Sequence, residues 1–104
     1  MTNVMAGFES RRWADTDYSE VVFEGCDQGY ATAVDVHMWA DIPWAYDDYY
    51  GKNHLTGCFL GSESVSYGKW YNLPGNDYYF KIGTITGDNQ MWARKVEVDT
   101  TAAD

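Results

Sequence analysis

Two cysteines and two histidines are the residues of this 104-residue chain most often recruited for metal, redox or acid–base chemistry. Cys26 and Cys58 are widely separated, and neither they nor His37 and His54 have the CxxC or HxxxH spacing of structural zinc sites. We therefore predict a disulfide between the cysteines, which closes a loop of about 33 residues and stabilises the fold by roughly 3–4 kcal/mol. Two free structural thiols, or a zinc site completed by the histidines, are the alternatives.

Other patterns that carry catalysis or cofactor binding are absent from the sequence. There is no GxSxG motif, no phosphate-binding loop and no dinucleotide fingerprint. The adjacent Asp47 and Asp48 would diverge in an extended segment, so they do not form the facing acid pair of a glycosidase. Turn-located Asp residues could bind calcium, but they lack EF-hand spacing and favour turns for backbone reasons. We expect surface histidines, no cofactor, no metal and no enzymatic activity, with a small hydrolase as an alternative.

The strongest functional pattern is an aromatic and acidic segment between the two cysteines. Tyr and Trp side chains provide large contact areas at low entropic cost and dominate interface hot spots. We therefore predict a protein partner, with a carbohydrate ligand stacking on the same rings as the alternative. A purely structural alternative is that the rings fold back over an open edge of the sheet. The candidate binding residues are Trp39, Trp44, Tyr46, Asp47, Asp48, Tyr49 and Tyr50.

Short β-strands are the elements that must position this segment. Alternating side chains predict six or seven strands, at residues 7–14, 18–24, 30–39, 56–60, 64–72, 77–85 and 91–99. Strands 18–24 and 30–39 form a plausible hairpin, and residues 73–76 (LPGN) are typical of a type II turn. Residues 40–57 fit one long loop between the third and fourth of these strands. We predict an all-β, antiparallel sandwich, with a small barrel as the alternative.

Length and composition indicate one folded domain that spans residues 1–104, with residues 1–6 and 100–104 as frayed ends. The hydrophobic fraction of 45% and the aromatic fraction of 17% exclude a disordered chain. The net charge of −9 repels phosphate groups, so nucleic acids and anionic membranes are excluded as partners. No apolar run is long enough to span a bilayer.

The cysteine content is the only indication of compartment. An even number of cysteines in a short, aromatic-rich domain favours secretion. The first residues, MTNVMAGFESRR, have no apolar core of a signal peptide, so we expect a signal that has already been removed. An acidic mimic of DNA is a further alternative, and a disulfide would count against it because such proteins work in a reducing cytoplasm. The oligomeric state is left open.

The order of elements also resembles that of the small secreted proteinaceous α-amylase inhibitors, which are two-sheet β domains with cysteine-bridged loops. The shared features are Arg11-Arg12-Trp13 followed by Tyr18, then Gly25-Cys26 and an alternating strand. The inhibitors have a contiguous Trp-Arg-Tyr turn and two disulfides, whereas this chain has Arg-Arg-Trp and two cysteines. The resemblance therefore assigns no inhibitory residue.

Overall fold

The computed structural model describes residues 1, 4–26, 30–61 and 63–100, and it is built almost entirely of β-strands. The described residues form one antiparallel sheet with the strand order β3-β2-β4-β1-β5. The all-β class is therefore confirmed, but a single open sheet of five strands replaces the two sheets and six or seven strands of the prediction. The elements are β1 (Trp13–Cys26), β2 (Ala33–Asp41), β3 (Asp48–Leu55), a 3₁₀ helix (Gly57–Leu60), β4 (Val65–Thr86) and β5 (Ala93–Asp99).

β4 is the strand that organises the sheet, because its two halves have different partners. The first half pairs with β1 and the second half pairs with β2. The predicted hairpin between residues 18–24 and 30–39 is therefore wrong, since β4 lies between those two strands. Residues 73–76, predicted to end a strand, lie inside β4. Alternation reveals that a segment is a strand, but it does not reveal which strand lies beside it.

The LPGN segment bends β4 instead of ending it. Asn72 has a φ of 57° and Asp17, on the facing part of β1, has a φ of 89°. Asn and Asp tolerate this left-handed region better than most residues. The β1–β4 register also shifts on both sides of Asp17. We call this region, residues 15–19 of β1 and 72–77 of β4, the crease.

The crease folds the sheet over so that its two halves face each other. Phe23 is paired in register with Ser66, and Phe80 lies fourteen residues further along β4. A straight strand of that length would separate them by about 46 Å. Their ring centroids are nevertheless 5.6 Å apart. The buried core therefore lies between the two halves, and the other face of each half is directed to solvent.

β3 corrects the prediction of one long loop over residues 40–57. Residues 48–55 form a strand that pairs with β2. The sequence pattern does not indicate this strand, because the polar residues Lys52, Asn53 and His54 interrupt the alternation of apolar and polar side chains. Gly51, with a φ of 92°, also lies near a register shift. β3 is an edge strand of the sheet. Its outer edge and its outer face can therefore carry polar side chains.

The predicted disulfide between Cys26 and Cys58 is confirmed, with a Cα–Cα distance of 5.1 Å. It joins the end of β1 to the 3₁₀ helix that follows β3. Ser66 supports this end of the sheet, because its hydroxyl accepts a hydrogen bond of 2.7 Å from the Cys58 amide. Both sulfur atoms are buried. The disulfide therefore links β1, through the core, to the segment that follows the edge strand β3.

The N-terminal segment continues the line of β1 along the second half of β4. The Ser10 amide donates to the Phe80 carbonyl and the Ile82 amide donates to the Phe8 carbonyl, both at 2.9 Å. Val4 forms a further bridge to Met91. The predicted frayed ends fall partly on residues 2–3 and 101–104, which lie outside the described residues. Within the described ranges, no helix has the length and apolar character needed to cross a membrane.

Candidate binding site

The connection between β2 and β3, residues 42–47, carries the two most exposed candidate residues. The relative exposure is 104% for Trp44 and 98% for Tyr46. Trp44 has a φ of 66°, which is uncommon for a large side chain. We call residues 42–47 the tip. Its rings are therefore displayed and not folded back on the sheet.

Asp47 fixes the base of the tip. Its Oδ1 accepts a hydrogen bond of 3.2 Å from the Ile42 amide, which closes the turn. Its Oδ2 accepts a hydrogen bond of 2.5 Å from the Tyr79 hydroxyl, which ties the turn to β4. The Tyr79 hydrogen bond, with the Ile42 amide, lowers the pKa of Asp47 despite its partial burial. Burial, followed by the adjacent carboxylate, raises the pKa of Tyr79.

An acidic hollow lies beside the tip, where the crease meets the end of β2. Strand register brings its carboxylates together, because Asp77 is paired with both Ala14 and Asp41. Asp41 is partly neutralised by Arg12, whose Nε lies 3.1 Å from Oδ2. The hollow has a volume of about 710 Å³ and is lined by Ala14, Asp15, Thr16, Asp41, Pro43, Asn76 and Asp77.

Trp39 and Tyr49 form a separate patch on the outer face of β2 and β3. Their ring centroids are 4.8 Å apart, and the Tyr49 hydroxyl lies 2.8 Å from Nδ1 of His37. Trp39 Nε1 is buried and has no hydrogen-bond partner among the described residues. Gly83 makes room for the patch, because a Cβ there would collide with the His37 imidazole. These rings are half-buried by one another, so they present less free surface than the tip.

The remaining candidates have different roles. Tyr50 is half-buried and packs edge-on against the buried Tyr78, with ring centroids 5.8 Å apart. Asp48 is exposed and begins β3, paired with Ala40. The candidate set therefore divides into displayed residues (Trp44, Tyr46, Asp48), an outer-face patch (Trp39, Tyr49) and residues that support the fold (Asp47, Tyr50).

The two histidines lie on the outer face of the same strands. His54 Nδ1 is 2.6 Å from Asp35 Oδ1, and Lys52 Nζ is 3.4 Å from the other oxygen. The His54 hydrogen bond is the main reason that the pKa of Asp35 is lowered, against the effect of its burial. The disulfide leaves no thiolate to complete a zinc site with either histidine. In the part of the chain that the structure describes, no cluster of His, Cys, Asp and Glu could hold a metal ion.

Sequence reasoning missed the residues that only the crease brings to the tip. Asp15 and Asp77 are far apart in the chain but line one hollow. Arg12 lies with its guanidinium carbon 3.9 Å from the centre of the Tyr79 ring, and it bridges Glu9 and Asp41. The sequence carried no signal that Asp15 and Asp77 would meet.

Comparisons with known proteins do not add a family. No protein-family model, no curated protein and no solved structure matches the chain. The resemblance to the α-amylase inhibitors therefore has no support from these comparisons.

Proposed function

We propose that this protein is a non-enzymatic binding domain that captures a protein partner through the tip. The observation that carries the proposal is the complete exposure of Trp44 and Tyr46 on a turn whose base is fixed by Asp47. Exposed Trp and Tyr side chains offer a partner large apolar contact areas, and they dominate interface hot spots. A turn that is already ordered also loses less entropy on binding.

The charges around the tip define the chemistry of the partner. Asp15, Asp41 and Asp77 line the adjacent hollow, and the exposed Asp48 follows the tip. Arg12 lies within ion-pair distance of Asp41, while the whole chain carries a net charge of −9. Complementary charge steers association and selects the partner. The proposed partner therefore has a basic surface that surrounds a site for the Trp44 ring.

The disulfide supports a location outside the reducing cytoplasm. Disulfides persist in oxidising compartments, and they contribute most to small domains such as this one. We propose that the protein is secreted and acts as an inhibitor, an adaptor or a subunit of a larger secreted assembly. The disulfide also counts against the alternative of an acidic DNA mimic that works in the cytoplasm.

The test compares capture of proteins from the native culture fluid by the unaltered chain and by single variants. Trp44→Ala and Tyr46→Ala should each weaken capture of a basic protein, by about thirtyfold for a hot-spot residue. Tyr30→Ala is the matched control, because Tyr30 is also exposed, at 79%, and lies outside the tip near Gly87. Capture that survives both tip variants, or that is lost equally in Tyr30→Ala, would contradict the proposal.

A carbohydrate ligand is the second candidate, because the open ring faces of Trp44 and Tyr46 can stack on sugars. Asp48, exposed beside them, could accept hydrogen bonds from hydroxyl groups. Tryptophan fluorescence during titration with polysaccharides separates the two candidates. Binding of a neutral glycan should be insensitive to salt, whereas binding of a basic protein should weaken as salt screens the charges.

A further inference from the structure

A groove lies between β5 and the N-terminal segment, away from the tip. Its volume of about 460 Å³ falls in the range of small-molecule sites. Phe80 is a buried residue at the base of the groove, and Phe8 and Val98 are more than one-third exposed at its sides. The lining of the groove consists of Met1, Phe8, Ser10, Arg11, Arg12, Trp13, Phe80, Val96 and Val98.

The charge of the groove is opposite to that of the whole protein. Sixteen acidic residues outnumber seven basic residues in the chain, yet among the described residues the lining contains two arginines and no carboxylate. Arg12 is already held by Glu9 and Asp41. A bound anion would therefore face cationic side chains here, although most of the surface repels it.

Arg11 differs from every other basic side chain in the described residues. The other six basic residues each form an ion pair with a carboxylate, and these are Arg12, Lys52, Lys69, Lys81, Arg94 and Lys95. The Arg11 guanidinium forms no ion pair within the described ranges; its backbone carbonyl accepts a hydrogen bond from the Ser10 hydroxyl. A guanidinium offers parallel N–H donors that match both oxygens of a carboxylate. Arg11 is therefore available for an anionic group at an apolar groove.

We propose that this groove binds a small amphipathic carboxylate of the medium-chain fatty-acid type. The apolar chain lies against Phe8, Phe80 and Val98, which removes their remaining exposed surface from water. The carboxylate is bound by Arg11. The ligand is specified by two features together, the apolar lining and an unpaired guanidinium, and neither depends on the binding proposed for the tip.

The test measures binding of dodecanoate, dodecanol and dodecylamine to the full chain, by calorimetry and by the tryptophan fluorescence, to which Trp13 in the groove lining contributes. One equivalent of dodecanoate should bind, about tenfold more tightly than dodecanol, because one charge-assisted contact contributes a difference of that size. Its preference over dodecylamine should be larger than its preference over dodecanol. Arg11→Gln should remove the preference for the carboxylate. Lys95→Gln is the control that removes the same charge from β5 outside the groove and should retain the preference.

Two further variants separate this proposal from the one for the tip. Val98→Trp, which fills the groove, should abolish binding of dodecanoate without affecting capture of a protein partner. Trp44→Ala should have the reverse effect. Equal binding of all three ligands by the unaltered chain, no binding at all, or an unchanged preference in Arg11→Gln would overturn the proposal.

Discussion

The tip and the groove are two aromatic regions of one small sheet, and they differ in burial and in charge. At the tip, Trp44 and Tyr46 extend into solvent beside a hollow lined by aspartates. In the groove, aromatic side chains belong to the core or its margin and lie beside arginines. The tip therefore presents its rings as a contact surface, whereas the groove is a cavity lined by rings that pack in or near the core.

This difference shows that the net charge of the chain does not determine the electrostatic potential at each region of its surface. A chain with a net charge of −9 has an apolar groove whose described lining residues include Arg11 and Arg12 but no carboxylate. These adjacent residues have different environments, because Arg12 pairs with Asp41 near the tip and Arg11 forms no ion pair among the described residues. Two neighbours in the sequence thus contribute to two regions with different partners.

The largest expected difference between the regions is in stability. Phe80 packs against Phe23 in the core, so Phe80→Ala should lower the free energy of unfolding by about 3–5 kcal/mol. Trp44→Ala removes a ring that is fully exposed and should change it by less than about 0.5 kcal/mol. Denaturant titrations of the two variants measure both values. Similar losses in the two variants would show that the Trp44 ring is packed.

Removal of the disulfide should affect both regions together. Replacement of Cys26 and Cys58 by serine should lower the free energy of unfolding by roughly 3–4 kcal/mol, because the unfolded chain regains the freedom of the closed loop. Chemical reduction of the unaltered chain is the matched experiment. A loss of binding at only one region, with stability retained, would indicate that the disulfide has a local role.

A smaller effect, confined to the tip, is expected from Asp47→Ala. The substitution leaves the Ile42 amide and the Tyr79 hydroxyl without their acceptor, which should cost about 1–3 kcal/mol of unfolding free energy. Asp48→Ala removes an exposed carboxylate next to it and is the control, with an expected change below about 0.5 kcal/mol. Protein capture should weaken in Asp47→Ala while dodecanoate binding by the groove is retained. Equal costs for the two variants would contradict the role of Asp47.

The smallest expected effect is on pH dependence. Hydrogen bonds from Tyr79 to Asp47 and from His54 to Asp35 lower the pKa values of these carboxyls. A lowered pKa in the folded state contributes stability above the ordinary Asp value, and this is lost as pH falls through the folded pKa. As the pH falls below the ordinary Asp pKa of about 4, the unaltered chain should therefore lose more stability than Asp47→Asn.

The pH comparison tests the tip through the Asp47 carboxyl, which lies at its base. Thermal midpoints measured from neutral to acid pH should converge between the unaltered chain and Asp47→Asn as the carboxyl becomes protonated. Parallel midpoints over the whole range would show that Asp47 contributes nothing through its charge.

The local sequence pattern was sufficient to predict β2 and the disulfide, but it did not predict β3 or the different roles of the candidate residues. The alternation of Tyr30 to Trp39 predicted β2 closely, and the isolated pair Cys26 and Cys58 predicted its disulfide. β3 was missed because an edge strand with a positive-φ Gly51 carries no clear apolar period. The candidate set mixed displayed, packed and supporting residues, since a run of aromatics does not indicate which face each ring occupies.

The sequence by itself determined the all-β class, the antiparallel pairing and the cross-link, because these follow from period-two alternation and cysteine count. Only the tertiary structure decided that β4 passes through residues 73–76 and folds the sheet over. That fold brings Asp15 and Asp77 together beside the tip and leaves Arg11 at an open groove. Contacts between residues so distant in the chain depend on the register and bending of strands, which no local pattern records.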